Sequence, residues 1–523
     1  VLPDGVTPGT PVAAVPCGDR WALVWPGGRA VVGALPVEAR IVWWAAARQP
    51  VRACWDLAAV GGLVHGLRRS DPAALWAAAH DRPLPEPSRG RDLFDVGGPD
   101  ALDAGGDLDG AWYEESPTED RALRWAALAL EVQQRQAAAL ADRRALLTAY
   151  AESAAALLCL ELAAEGLPLD AGIATQLLTE TIGPAPADAD HEARLRRERD
   201  RPVLDLLPPG TTLDLRSPEQ VRGALARSGI DVPDTRSWRL EPHAAASPLV
   251  AALLAWRKAD RVATTYGWRW LAENAPDGRL RGRWQVADGG AGRMTAGAGL
   301  HNMPAELRPA VRAEPGYVFV GADLGQVEPR VLAVVSGDPA LAAAAGSDDM
   351  YAPVAQQLGV DRPTAKIAVL AAMYGQTSGV AGTALRDMDR VYGRAMAYLR
   401  AAEQVGRDGG ELRTYGGRLI QFGGGGDVQG RGRYARNAMV QGAAAELFKA
   451  WAATVRAHLA GTGGRIVLCL HDELLLHVPE SQSAAAQAVL ASSLDQTVAW
   501  WAEGSPVRFV AEVRAGRSWP EVH

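Results

Sequence analysis

Two stretches in the C-terminal half of the chain run apolar residues into an aspartate. Tyr317-Val-Phe-Val-Gly-Ala leads directly to Asp323, while Ile466-Val-Leu-Cys-Leu and Leu474-Leu-Leu-His-Val flank Asp472. Short apolar runs rich in β-branched residues and bounded by polar tips read as buried strands, so this part of the chain must build a sheet. A carboxylate at the end of a buried strand is costly unless a cation compensates it, and a divalent metal is the usual partner. If the two strands are neighbours, Asp323 and Asp472 could hold two magnesium ions about 3.5–4 Å apart, the geometry that assists in-line phosphoryl transfer. Taken singly, each aspartate also reads as a turn or cap residue.

A helix between these two points supplies a complementary set of groups. Asp361 is a natural N-cap, Pro363 suits a first turn, and the apolar pattern continues to Met373. Arg362, Lys366, Leu370 and Tyr374 follow at four-residue steps and so share one face. The positive helix start with Arg362 and Lys366 would attract a triphosphate, leaving Leu370 and Tyr374 for its sugar and base. A second stripe, Arg433, Asn437 and Gln441, repeats the step with hydrogen-bonding groups. Such side chains can probe the minor groove, where every base pair offers acceptors at similar positions, without reading sequence. Each stripe, alone, is also explained as solvated helix surface.

Composition decides which partners are credible. The chain has 523 residues, 48% hydrophobic and 22% charged, which predicts a globular protein of three or four domains and excludes disordered, collagen-like and wholly membrane-embedded classes. No run reaches about 18 uncharged apolar residues, and the N-terminal VLPDGVTPGTPVAAVP lacks the order of an export signal, so a cytoplasmic, nucleoid-associated protein is expected. Cys17, Cys54, Cys159 and Cys469 are widely spaced and read as reduced, packed thiols. The net charge of −7 argues against a polyanion, but residues 351–450 carry 13 basic against 8 acidic side chains. Phosphate binding needs local charge, so this basic segment is the candidate. Only Lys258, Lys366 and Lys449 are lysines, and Lys366 lies within it.

Along the chain, residues 17–50 alternate apolar runs with Gly/Pro punctuation and helical patterns follow to about residue 80, predicting a small α/β unit. Residues 81–120 read as a long surface connection. Two long helices follow from Arg121 to about Gly166. A Pro- and charge-rich stretch, 183–210, is expected to interrupt, before helices resume over Ser217–Ile230 and Ser247–Leu271. Further on, Gln326–Val335 reads as helix, 416–432 as turns and loop, Tyr434–His458 as one long helix, and Ile466–Val478 as two strands joined tightly at His471-Asp472. The whole is predicted as α+β and multidomain.

Together these residues resemble family A DNA polymerases of the DNA polymerase I type. Asp323-Leu-Gly-Gln-Val-Glu-Pro-Arg330 is similar to the family's first motif, Arg362-Pro-Thr-Ala-Lys366 through Tyr374-Gly375 to its second, and His471-Asp472-Glu473 to its third. The Arg433/Asn437/Gln441 helix and the segment from Gly292-Arg293-Met through His301-Asn302-Met-Pro304 also resemble family counterparts. The resemblance implies a right-hand polymerase with palm, fingers and thumb, preceded by a small α/β ribonuclease H-like unit of exonuclease type. The implied limits are 1–145 for that unit, 146–280 thumb, 281–345 palm, 346–418 fingers and 419–523 palm again.

The resemblance further implies roles. Asp323, Asp472 and the Leu324 carbonyl would bind two Mg2+ ions, with Mn2+ as a substitute. Arg362 and Lys366 would hold the dNTP, and Lys366 would protonate the leaving pyrophosphate. Glu328 would be a steric gate against a 2′-hydroxyl, with Leu370, Tyr374, Gln326 and Tyr351 also at the nucleotide. Arg293, Asn302, Gln326, Arg433, Asn437, Gln441, His471 and Glu473 would contact primer–template DNA. A monomer without membrane attachment is implied. The sequence departs from the family pattern at Gly325, where serine is common, at Pro329 for leucine, at Tyr351 for histidine and at Leu370 for an aromatic ring.

The N-terminal unit lacks the Asp-x-Glu pair that a two-metal 3′–5′ exonuclease needs on its first strand, read here as Trp21–Trp25. Arg124-Trp-Ala-Ala-Leu-Ala-Leu130 offers no final carboxylate either, leaving Asp56 as a sole remnant. A degenerate exonuclease fold without proofreading is expected, with no 5′-nuclease domain before it. The predicted activity is template-directed DNA synthesis by two-metal nucleotidyl transfer. Its rivals are a catalytically impaired, polymerase-like DNA-binding protein and a 3′–5′ exonuclease using the N-terminal unit.

Overall fold

Five strands near the N-terminus, β1 (Pro11–Cys17), β2 (Arg20–Trp25), β3 (Gly28–Val32), β4 (Arg40–Trp43) and β5 (Ala53–Asp56), form a sheet ordered β3-β2-β1-β4-β5. The first three are antiparallel and β4 and β5 run parallel to β1, an order consistent with the small α/β unit expected. This is a computed structural model, and it describes residues 2–86, 100–288, 290–375, 380–423 and 427–523. The first strand is therefore Pro11–Cys17, one strand earlier than the sequence reading placed it, and it too has no acidic residue. Asp56 ends β5 and caps helix α1 (Leu57–His65).

The predicted connection over 81–120 is only partly that. Residues 87–99 lie outside the described residues, but Ala101, Leu108 and Trp112 are buried in the N-terminal core. Apolar residues spaced among the glycines and aspartates give this stretch something to bury. Two long helices follow as expected, α2 (Glu119–Ala138) and α3 (Arg143–Glu165), started by Thr118 and Asp142 as N-caps. α3 is long and apolar enough to cross a membrane. Here it is shared between two cores, with Ala149 and Leu157 packing in the N-terminal unit and Leu158 and Leu162 in the main core. Its Glu152, 1% exposed, pairs with Arg418 at 2.7 Å and with Lys449.

The stretch read as an interruption at 183–210 contains a helix, α4 (Ala189–Leu204). Asp188 caps it, Asp190 and Glu192 favour its positive start, and its charged residues are good helix formers, so local signals overcome the nearby prolines. α4 and α5 (Pro248–Thr265) flank a separate small core that includes Val203, Leu225, Leu240 and Trp256.

The main core wraps a four-stranded antiparallel sheet. Its strands are β6 (Tyr317–Leu324), β7 (Arg465–Leu470), β8 (Glu473–Pro479) and β9 (Ala511–Gly516), in the order β7-β8-β6-β9. Helix α6 (Val327–Ser336) leaves β6, and α7 (Tyr351–Leu358), α8 (Arg362–Tyr374) and α9 (Gly393–Asp408) follow. Helix α10 runs Val428–His458, beginning six residues before the expected start because Asp427 caps it. Within the predicted loop before it, Leu419–Gln421 is a strand paired with Glu411–Arg413 upstream, and residues 424–426 lie outside the described residues. α9 and α10 pack closely: a Cβ at Gly406 would fall 2.4 Å from that of Ala435, so only glycine fits.

Candidate active site

The register of the main sheet answers whether the two aspartates meet. Asp323 on β6 is paired with Glu473, the first residue of β8, and the Leu324 amide donates to the Asp472 carbonyl at 2.9 Å. Asp472 thus sits at the hairpin tip beside the end of β6. The turn is tight enough to force His471 into a left-handed φ of 37°. Burial, and then the Asp323 charge, push the Asp472 carboxyl up to about 7. Asp323 is also raised, by burial first, with His523 opposing and Glu512 adding to the effect. Among the described residues neither carboxylate forms an ion pair. Two raised, uncompensated acids at one strand edge are what a hard dication would neutralise. Among the described residues no cluster of three or more His, Cys, Asp and Glu side chains is arranged for a metal. The donor set here is two carboxylates, the hard oxygen ligands that suit a divalent cation completed by water and phosphate oxygens.

Next to Asp472 opens a pocket of about 170 Å3, lined by Arg293, Gln326, Glu328, Tyr351, Leu370 and His471 among others. α6 starts at its wall, with Gln326 held in a left-handed conformation at φ 56°. The Gln326 amide nitrogen donates to Asp349 at 2.9 Å, and its oxygen accepts from the Met350 N–H at 2.9 Å. Glu328, in the first turn of α6, is fixed from two sides, by Arg293 and by the Tyr374 hydroxyl at 2.9 Å. Tyr351 is buried, and burial pushes its phenol up to about 12.

α8 presents the expected face. Asp361 accepts from the Thr364 amide at 2.8 Å, Arg362 and Lys366 are exposed, and Leu370 and Tyr374 reach the pocket and Glu328 respectively. Arg362 is engaged, however: its Nε and Nη2 donate to Asp349 at 2.6 and 3.2 Å, and its guanidinium lies 5.7 Å from the Tyr351 ring centre. On α10, Arg433 is exposed and pairs with Asp427 at 3.5 Å, Asn437 has a buried carbonyl oxygen with no partner, and Gln441 lies beside Tyr374. Asn302 is exposed, and its backbone oxygen accepts from Arg261 at 2.9 Å. His471 is exposed at the hairpin tip, 5.1 Å from the His301 ring.

One site residue is enclosed by the end of the chain. Glu473 is 3% exposed, its carboxylate accepting from the Trp519 indole at 2.8 Å and lying 3.2 Å from His523. The C-terminal segment covers it and ties the start of β8 to Trp519 and His523. Three residues were missed from sequence. Asp349 reads as one of two aspartates in a polar turn. Arg330 is fully buried and donates to the carbonyls of Gly325, Ala345, Ser347, Asp348 and Arg508. Arg436, one position off the α10 stripe, donates to the Ala372 carbonyl near the end of α8 and to Glu403 at 2.8 Å. Nothing short-range distinguishes these from surface charges.

The N-terminal unit offers a contrast. Asp56 is buried, accepts from the Ala59 amide at 2.6 Å and from the Ala46 amide, and is pushed by burial up to about 6.

Comparison with known proteins agrees with this architecture. The chain is 31% identical over 289 residues to DNA polymerase I of Chloroflexus aurantiacus, covering 46% of this chain and 30% of that protein. It is 27% identical over 329 residues to the thermostable DNA polymerase I of Thermus filiformis, covering 55% and 38%. The chain thus matches about a third of the length of these relatives. Among solved structures, the POL domain of Pol1 from M. smegmatis, in complex with DNA primer-template and dNTP, superposes with a TM-score of 0.68 at 20% identity, covering 98% of this chain and 96% of that one, a likeness of fold. The model of DNA polymerase family A matches residues 207–521, more than half of the chain, and the protein belongs to that family.

Proposed function

We propose that this chain is a template-directed DNA polymerase that extends a primer 3′-hydroxyl with deoxynucleoside triphosphates. The observation that carries the reading is the pair of uncompensated acids, Asp323 and Asp472, at adjoining strand ends, with Asp472 opening onto the Glu328–Tyr351–Leu370 pocket. Asp323, Asp472 and the Leu324 carbonyl would hold two divalent cations, Mg2+ or Mn2+. When bound, these supply positive charge for the attacking 3′-oxygen and the departing pyrophosphate.

The remaining work falls to protein groups. Arg362 and Lys366 grip the triphosphate beside the α8 N-terminus, and Lys366 gives a proton to the pyrophosphate as the primer 3′-oxygen, its own proton released to solvent, displaces it from the α-phosphorus. Glu328, immobilised by Arg293 and Tyr374, fills the space a 2′-hydroxyl would need. Leu370 and Tyr351 form the apolar wall against the sugar. Gln326, Arg293, Asn302, His471, Arg433, Asn437 and Gln441 face primer–template, where donors in the minor groove test pair shape. Glu473 acts through Trp519 and His523 to hold the Asp472 hairpin. The N-terminal unit serves as scaffold without proofreading, since its buried Asp56 is satisfied by its own backbone. We assign 1–145 to that unit, 146–280 to the thumb, 281–345 and 419–523 to the palm and 346–418 to the fingers, with α3 bridging the first limit.

Extension of a labelled primer, with deoxy- and ribonucleotides offered separately, tests this. Wild type should extend with deoxynucleotides and Asp472→Asn should not. No extension by wild type would favour the impaired DNA-binding rival. Loss of a 3′ label without nucleotides, persisting in Asp472→Asn, would restore the nuclease reading of the N-terminal unit.

A further inference from the structure

The geometry points to Asp349 as an internal counter-anion that occupies the triphosphate-gripping Arg362 and thereby weakens every anion that competes for it. The inference rests on Arg362 as a dNTP ligand. Asp349 lies on the loop between the short helix Pro339–Ala344 and α7. Arg330 fixes that loop through the Ala345, Ser347 and Asp348 carbonyls, so the carboxylate is presented by a rigid support rather than a mobile tip.

Both Asp349 oxygens engage Arg362, with Nε at 2.6 Å and Nη2 at 3.2 Å, the forked arrangement in which a guanidinium also takes a phosphate. Gln326 and the Tyr351 amide, at 2.9 and 3.2 Å, donate to Oδ1, the oxygen that also accepts from Arg362 Nη2. The bonds from Arg362 lower the Asp349 pKa, so it stays charged at neutral pH. The neighbouring Asp348 is not its equivalent, being paired with Arg508 at 3.0 Å.

An anion can use Arg362 only in the fraction of molecules where the guanidinium is released, so its apparent dissociation constant is divided by that fraction and its affinity falls. A dNTP has further contacts at Lys366, the α8 N-terminus and the template base. Inorganic pyrophosphate, the product, has fewer, and the same factor leaves it weakly held. Asp349 is thus a positioning residue that acts through Arg362 to favour product release.

The test uses the full chain on primer–template DNA, measuring the dNTP KM and the inhibition constant of inorganic pyrophosphate. Asp349→Asn keeps an oxygen for Gln326 and the Tyr351 amide but removes the charge. It should lower both constants together by about three- to tenfold, the range of an exposed ion pair with added repulsion. Asp349→Glu should stay near wild type, and Asp349→Asn should have no effect on either constant in an Arg362→Gln background. Unchanged or raised constants in Asp349→Asn, or a fall that persists without Arg362, would overturn the inference. Asp349→Ser provides the same comparison if the asparagine variant melts early. Failure of wild type to extend at all would instead strike the polymerase reading, so the two failures are distinguishable.

Discussion

The N-terminal sheet and the main sheet each run an apolar strand into an aspartate, and in both the carboxyl group is pushed upward by burial, Asp56 to about 6 and Asp472 to about 7. Their surroundings differ in one respect. Asp56 receives the Ala59 and Ala46 amides and caps α1, so its charge is met from within the unit. Asp472 has a second carboxylate, Asp323, for a neighbour and no ion-pair partner among the described residues. A buried acid alone therefore marks a helix cap as readily as a reaction centre. A half-buried acid left uncompensated beside another marks a place built for something from outside.

The sharpest way to break this comparison is to neutralise each acid in turn. Asp472→Asn should reduce primer extension by at least about a thousandfold, whereas Asp56→Asn should change it by less than about twofold, read as single-turnover rates. A comparable loss in both would put the N-terminal unit into the chemistry.

Stability against pH comes next. Because the folded-state carboxyl of Asp472 is raised, the folded protein binds the proton more tightly than the unfolded chain. Its contribution to stability is therefore greatest below about pH 4 and falls as pH rises to about 7. In cation-free buffer, Asp472→Asn should remove that loss and stabilise the protein at pH 8, by on the order of 3 kcal/mol. Denaturant unfolding at pH 5 and pH 8 measures it. Added magnesium should stabilise wild type at pH 8 and leave Asp472→Asn nearly unmoved.

A smaller effect concerns sugar choice. Glu328→Ala should raise ribonucleotide incorporation relative to deoxynucleotide by about ten- to a hundredfold, measured as the ratio of kcat/KM values. The smallest is the cap: Asp56→Ala should lower stability by about 1 kcal/mol in thermal unfolding while extension continues.

Much of this was legible from short-range pattern. β6, the β7–β8 hairpin, α8 with its Asp361 cap, and the Arg433/Asn437/Gln441 face follow from apolar runs, turn residues and four-residue spacing. The misreadings have local causes as well. Prolines at 183–210 hid α4, whose Asp188 cap and acidic first turn outweighed them, and a glycine-rich approach concealed the start of α10 at Asp427. The burial of Glu473 is hidden for a different reason: Trp519 and His523, which cover it, come from the far end of the chain.

What the sequence determined by itself was where strands end, where helices begin and which side chains share a face, because those depend on residues a few positions apart. Tertiary structure alone decided which charges are met and which are left open. Asp349 on Arg362, Arg330 among the carbonyls of Ala345, Ser347, Asp348 and Arg508, and Asp323 against Asp472 each join residues from different elements. Electrostatic compensation depends on separation in space, which no local pattern encodes.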